Sequence, residues 1–392
     1  MTVCDLTHAY HETSGGIRTY IDAKRRYILE ETEHSHALVI PGETDRVTRD
    51  GRAVTVEVAA PFIAGAEPYR WFRNPRSARR ALEYVAPEVI ELGTYFMPTE
   101  WQPAFAVRNA RRRAGKAGIV SIFTHTDFAD SYAEGYVSQV LGDRVGKLTG
   151  KAAHVYVKQL INRADCAAAP SPAQAQDFHK RGLDVLLASY GVDVKTFTPQ
   201  AASGAEVRAE LGIPPEALFL VYAGRLDSEK RTDTMVSAVR RVNETRPAVL
   251  VMVGEGPHRD GLKEEQEAGA PIRVLPYLTS KEALARLFAS ADLYLTAGPY
   301  ETFGLSVAEA QACGLPVVGV AGGALIERVP DGLGLLGPVD DDEAMATNIL
   351  QVAECRDEMG RAGREEVVAR FAWEITFRKM FGLYDAALAR TA

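Results

Sequence analysis

The stretch Tyr300–Val318, YETFGLSVAEAQACGLPVV, decides the reading of the fold. It carries two glutamates, Glu301 and Glu309, with seven residues between them. Gly314 is a helix stop signal, and Pro316 with the β-branched pair Val317-Val318 opens a strand. The spacing therefore predicts a loop, a helix from about Gly304 to Gly314, then a strand. A helix starting there presents the backbone N–H groups of Phe303, Gly304 and Leu305. Its partial positive charge suits a phosphate or a developing leaving-group anion. Gly304 has no Cβ and lets a ligand approach the backbone. Glu301, just ahead of the helix, is placed to reach the hydroxyls of a bound sugar. Glu309, more than a turn inside, is placed to accept two hydrogen bonds from a ribose diol. A solvated glutamate on an amphipathic helix is the plain alternative.

Two glutamates at this spacing are a weak signal alone. The whole string is more specific: Glu-x7-Glu, the inner Phe-Gly-Leu, and the trailing Glu-Ala-x-Ala-x-Gly-x-Pro-Val. It resembles the retaining nucleotide-sugar glycosyltransferases of family 4 (group 1), and is similar to bacterial GDP-mannose-dependent α-mannosyltransferases and glycolipid synthases. UDP-glucose users share the same motifs. The resemblance implies an α/β protein of the GT-B fold, with two Rossmann-like doubly wound domains facing a central cleft. Residues 1–195 would form the acceptor-binding domain and 196–370 the nucleotide-sugar-binding domain. Residues 371–392 would form a helix crossing back to the first.

Length and composition agree with two soluble-type domains, since one domain of 392 residues would be large. The net charge of −7 is uneven: the first 200 residues hold 25 Lys+Arg against 23 Asp+Glu, the remainder 20 against 29. An acidic C-terminal half argues against general nucleic-acid binding. Cys4, Cys166, Cys313 and Cys355 are scattered without a CxxC pair, which suits a reducing compartment and argues against a zinc site. No basic-then-apolar leader precedes MTVCDL, and no apolar run reaches about 18 residues. A cytoplasmic protein is expected, free to touch the inner face of a membrane.

Strand and helix signals alternate along the chain. Val3–Leu6 opens as a strand, and Ile17 to about Glu31 reads as a helix whose apolar stripe is broken by Lys24. Between them, Ser14-Gly15-Gly16 frees backbone N–H groups for an anion, or is a plain turn. In the resembled family this loop faces the donor diphosphate. His36–Ile40 and Ala53–Val58 read as strands of a hairpin-like excursion. Ile119–Phe123 is a buried strand that leads to His125, at the edge where open α/β sheets place ligands. Similar family members have a histidine here that touches the donor sugar. Asp127, two residues on, reads as a group that orients His125 or, the better account, as a cap for the next helix. Tyr190-Gly191-Val192-Asp193 departs from the family's Asn-Gly-Val-Asp.

In the second half, Phe219–Ala223 is a strand followed by Gly224-Arg225-Leu226-Asp227-Ser228-Glu229-Lys230, which resembles the family's Gly-Arg-Leu-x-x-Glu-Lys. Arg225 and Lys230 are the cations expected to neutralise the diphosphate. Gly254-Glu255-Gly256 imitates a dinucleotide fingerprint, but Arg259 stands where the third glycine belongs. The resemblance puts the nucleobase near Pro276-Tyr277-Leu278. Asp340-Asp341-Asp342 invites a metal reading, yet directly precedes a helix and reads as its N-cap.

The catalytic set expected from motif and resemblance is Glu301, His125, Arg225 and Lys230. Donor contacts fall to Gly15, Gly16, Phe303, Gly304, Leu305 and Glu309. No metal and no cofactor beyond the donor sugar nucleotide are expected. For the acceptor, residues 69–80, YRWFRNPRSARR, set Arg70, Arg73, Arg76, Arg79 and Arg80 among Tyr69, Trp71 and Phe72 with no acid between them. Asn74 and Pro75 read as the cap and first residue of a helix. Arg108, Arg111, Arg112, Arg113 and Lys116 form a second basic cluster. Such segments suit an anionic membrane surface and a lipid acceptor. An ordinary solvated face, or a soluble sugar or sugar-phosphate acceptor, is the alternative.

Overall fold

The computed structural model describes residues 1–11, 16–63, 69–125, 128–129, 133, 142–202, 204–301 and 303–391. Ser14, Gly15 and Asp127, with the roles expected of them, lie outside these ranges. Contacts divide the chain into two units, one of Met1–Tyr190 with Thr376–Ala392, the other of Gly191–Ile375.

The N-terminal unit is built on strands β1 (Thr2–Leu6), β2 (Ser35–Gly42), β3 (Arg46–Asp50), β4 (Ala53–Ala59), β5 (Val89–Leu92), β6 (Ile119–Phe123), β7 (Cys166–Ala169) and β8 (Leu186–Leu187). They lie in the order β3-β4-β2-β1-β5-β6-β7-β8. All neighbours are parallel except β3 with β4, and parallel strands need crossovers, here mostly helical. The helices are α1 (Gly16–Glu31), α2 (Pro75–Val85), α3 (Pro98–Arg113), α4 (Asp143–Arg163) and α5 (Pro172–Lys180). β5 and β6 are buried along their whole length, as strands covered on both faces must be.

The structure corrects the hairpin reading. β2 and β4 pair in parallel, His36 opposite Ala53 through Gly42 opposite Ala59. The hairpin is made by β3 instead, an edge strand exposed at every position. RVTRD lacks the alternating apolar pattern that would announce it, because it buries no face.

Lys24 does not break the buried stripe of α1; it is part of it. Its Nζ lies fully buried, 2.6 Å from Asp5 Oδ1 on β1 and 2.5 Å from Glu91 Oε1 on β5. His36 Nε2 lies 2.8 Å from Asp5 Oδ2, and the Tyr384 hydroxyl donates to Glu91. Burial opposes ionisation of Asp5, yet the charge of Lys24 and the bond to His36 hold its carboxyl well below the usual range. A buried lysine is tolerated here because it is paired twice.

Asn74 caps α2, its Oδ1 accepting from the amides of Arg76 and Ser77, with Pro75 in the first turn. Ala78, Ala81 and Leu82 face the core, while Trp71, Arg73, Arg76, Arg79 and Arg80 are exposed. Phe72 is buried and so leaves the proposed aromatic surface. The second basic cluster is corrected too. Arg108 and Arg112 both pair with Asp165, and Arg111 bonds the Ala117 and Ala86 carbonyls and Glu88; only Arg113 and Lys116 stay exposed.

The C-terminal unit carries β9 (Leu218–Ala223), β10 (Ala248–Val253), β11 (Ile272–Leu275), β12 (Leu293–Leu295), β13 (Val317–Val320) and β14 (Gly334–Gly337) in the order β11-β10-β9-β12-β13-β14, all parallel. Its helices are α6 (Gly204–Glu210), α7 (Thr232–Val242), α8 (Arg259–Glu267), α9 (Lys281–Ser290), α10 (Leu305–Ala312), α11 (Leu325–Arg328), α12 (Asp342–Glu354) and α13 (Arg356–Arg370). The last helix, α14 (Trp373–Ala389), counts with the N-terminal unit from Thr376 onward, where Phe377 packs 5.5 Å from the Tyr20 ring. Asp341 caps α12 by accepting from the Ala344 amide, while Asp340 and Asp342 pair with Arg231 and Arg241. Cys4 and Cys313 are buried, Cys166 is half-buried and Cys355 is exposed. Among the described residues no helix is long and apolar enough to cross a membrane.

Candidate active site

β9 is buried throughout and delivers Gly224–Lys230 at its carboxyl edge. The turn is held from β10. Gly224 donates to the Val253 carbonyl at 3.0 Å, and Leu226 to that of Glu255 at 2.9 Å. This explains Gly254-Glu255-Gly256. Both glycines have positive φ, and a Cβ on Gly254 would fall 1.9 Å from the Gly224 oxygen. The pair permits close backbone approach rather than dinucleotide binding. Asp227 then caps a short 3-10 turn by accepting from the Lys230 amide at 3.2 Å.

Lys230 reaches the other half of the motif. Its Nζ lies 3.0 Å from Glu301 Oε2, and its stem passes Gly298 so closely that a Cβ there would sit 3.0 Å from Lys230 Cδ. The other Glu301 oxygen accepts from the Gly304 amide at 3.1 Å. Burial alone would raise the Glu301 carboxyl. The Lys230 charge, with hydrogen bonds from Lys230 and the Gly304 and Phe303 amides, holds it below the usual range instead. The amides of Phe303 and Gly304, expected to face a phosphate, are thus engaged by Glu301. Gly304 has φ +73 at the cap of α10, and Gly314 has φ +82 just past its end, so both glycines stand where the backbone requires them.

Arg225 belongs to the same cluster. Its guanidinium lies 2.5 Å from Asp227 and 2.7 Å from Glu229, and Glu229 lies 4.0 Å from Lys230 Nζ. A continuous chain of charge therefore runs Arg225–Glu229–Lys230–Glu301, with Arg225 the exposed end at 62 %. Glu309 sits on α10 apart from this chain. Burial, with the charge of Asp193 added and that of Lys281 opposing, pushes its carboxyl up to about 7. It is half-buried rather than solvated, and no described side chain bonds it. Leu305 opens the helix and is half-buried; Phe303 is buried.

Sequence reasoning missed the residues that hold this turn. Arg328, buried on α11, donates from Nε and Nη2 to the Phe303 carbonyl at 3.3 and 3.2 Å and lies 4.3 Å over the Phe303 ring. The Tyr294 hydroxyl bonds Ser306 Oγ and the Ala223 carbonyl. A strand tyrosine or a helix arginine carries no local mark of such a role.

In the N-terminal unit, Gly16 opens α1. His125 follows β6, its Nδ1 2.5 Å from the Tyr190 hydroxyl, with the two rings stacked 5.7 Å apart. Burial lowers the imidazole to about 3, so His125 is neutral at physiological pH and offers hydrogen bonds rather than charge. Tyr190, the departure from the family pattern, is thereby the support of the histidine. Arg70 leaves the exposed basic face: its Nη1 donates to the Ala60 carbonyl at 2.7 Å, and it lies 3.7 Å over the Phe62 ring.

Residues 204–366 match the family model described as Glycosyl transferases group 1. A GDP-mannose-dependent alpha-(1-6)-phosphatidylinositol dimannoside mannosyltransferase of Mycobacterium tuberculosis is 28% identical, covering 100% of this chain and 98% of the relative. A D-inositol 3-phosphate glycosyltransferase of Saccharomonospora viridis is 35% identical over 52% of this chain and 51% of its own. Among solved structures, a sucrose-phosphate synthase from Thermosynechococcus elongatus superposes with TM-score 0.73 at 21% identity, covering 99% of both chains. Anabaena HepE, solved with UDP and glucose, superposes with TM-score 0.65 at 16% identity, covering 97% of this chain and 98% of its own. These likenesses show the GT-B fold, and the segment that is similar to the group 1 glycosyltransferases holds Arg225, Lys230, Glu301 and Glu309.

Proposed function

We propose that this chain transfers a hexose from a nucleoside diphosphate sugar, of the GDP-mannose or UDP-glucose type, to an acceptor hydroxyl with retention of configuration and without a metal ion. The C-terminal unit takes the donor and the N-terminal unit the acceptor. The observation that carries this reading is the fixed Lys230–Glu301–Gly304 arrangement beside Arg225. Two cations at one strand edge suit the charge that builds on a departing diphosphate, Arg225 as a fork and Lys230 as a point charge. Such a preorganised donor is worth roughly 10²–10³ in rate. Arg225 leaves Glu229 at little cost because exposed pairs are weak. Tyr277, 67% exposed just past β11, offers a ring face to the base. Front-side attack, with the leaving phosphate taking the acceptor proton, is what the resemblance implies.

The acceptor is proposed to be a membrane lipid, reached from the inner face of the membrane. Supporting this are exposed Trp71 with Arg73, Arg76, Arg79 and Arg80, each cation worth about 1 kcal/mol near an anionic surface. The test is transfer from GDP-mannose or UDP-glucose to extracted glycolipid in EDTA, with the product's anomeric configuration read by NMR. Full activity and retention are expected. Inversion, or activity restored only by Mn²⁺ or Mg²⁺, overturns the proposal.

A further inference from the structure

The N-terminal unit holds a cavity of about 530 Å³ lined by His8, Ile40–Gly42, Glu57 and Arg70, among others. It lies at the carboxyl ends of β1, β2 and β4. Strand order reverses direction at the β1–β5 boundary beside it, and open α/β sheets bind ligands at such points. Its size is that of a small-molecule site.

Two of its groups are fixed but unfinished. His8 Nδ1 lies 2.7 Å from Glu100 Oε1, and the same oxygen accepts from the His8 amide at 2.9 Å. Glu100 is fully buried on α3, and its other oxygen accepts from the Thr94 hydroxyl. A buried carboxylate thus holds one ring nitrogen and leaves Nε2 without a partner among the described residues. Arg70 is anchored by the Ala60 carbonyl and the Phe62 ring, with no carboxylate in ion-pair range among the described residues. A guanidinium so oriented is one half of an ion pair whose natural other half is a phosphate or carboxylate. Across the cavity, Glu57 shares its charge with Arg46 at 2.5 Å and can accept from hydroxyls.

We infer that this cavity is the acceptor site and takes a phosphate-bearing polyol. Arg70 and His8 bind the phosphate, Glu57 binds hydroxyls, and Glu100 is a positioning residue for His8. This rests on the glycosyl-transfer reading above. The same chemistry is presented by a phospholipid headgroup and by a free sugar or cyclitol phosphate.

The test is calorimetric titration of the full chain with D-inositol 3-phosphate, with unphosphorylated inositol, and with phosphatidylinositol in phosphatidylcholine vesicles. GDP and UDP are titrated separately. The phosphorylated polyol, free or in the vesicle, is expected to bind at least tenfold tighter than inositol. Preference for the free ester assigns a soluble acceptor, and preference for the vesicle assigns a headgroup. Arg70→Gln removes the preference for phosphate. Glu100→Gln weakens polyol phosphate as His8→Gln does while nucleotide affinity holds; a merely structural defect would lower both together. Equal binding of phosphorylated and plain inositol, or an unchanged Arg70→Gln, overturns the inference. Nucleotide binding without polyol phosphate binding overturns it alone, whereas failure of every nucleotide and nucleotide sugar to bind overturns the transfer reading itself.

Discussion

Replacing Glu309 by glutamine should stabilise the C-terminal unit in alkali and leave it nearly unchanged in acid. Burial pushes this carboxyl from an ordinary 4.5 up to about 7. Between those values the folded chain binds more protons than the unfolded chain. Stability therefore falls as pH rises from about 4.5 through 7, and above that the full penalty is present. At about 1.36 kcal/mol per pH unit the penalty comes to about 3 kcal/mol. For a unit the size of Gly191–Ile375, each kcal/mol moves Tm by about 2–4 °C. Glu309→Gln should raise Tm by up to about 6–12 °C at pH 8.5 and stay within about 2 °C of wild type at pH 4.5. Scanning calorimetry across that range reads it directly. A difference that does not change with pH would refute the reasoning. A second arm tests function. A ribose diol donates to an ionised carboxylate, so donor affinity should rise with pH through about 7 in wild type and stay flat in Glu309→Gln.

Glu301→Gln and Lys230→Met should each lower turnover roughly 10²–10³-fold, with Glu301→Gln leaving the donor dissociation constant within a few-fold; steady-state kinetics with saturating donor that show unchanged kcat would remove both from the mechanism. Tyr190→Phe leaves the His125 Nδ1 without its phenol and should cost about 1–3 kcal/mol in a urea titration. Because burial lowers His125 to about 3, its share of stability is present above about pH 6.5 and drains as pH falls toward 3, a loss that His125→Phe should abolish. Arg73/Arg76/Arg79/Arg80→Ser should float less with anionic vesicles at low salt than wild type while binding donor equally; wild type that ignores such vesicles would leave Trp71 and these arginines an ordinary solvated face.

Local physics wrote much of this molecule into its sequence. Buried runs such as Ile119–Phe123 and Phe219–Ala223 read as strands because their side chains leave no polar face. Asn74-Pro75, Gly304 and Gly314 marked helix ends because capping needs particular residues at particular positions. The strip from Gly224 to Lys230 placed its own cations, since the strand before it fixes where they emerge.

The partners of those groups were decided elsewhere. Lys230 meets Glu301 across 71 residues, His125 meets Tyr190 across 65, and His8 meets Glu100 across 92. A residue's type states what it can bond, but only the packed chain states what stands beside it. That is why Lys24 is a core residue, why Arg108 and Arg112 are spent on Asp165, and why the Gly304 amide belongs to Glu301. It is also why Glu309, whose spacing announced it, holds a proton near neutral pH: desolvation is a property of the surroundings, and the surroundings are assembled from the whole C-terminal unit.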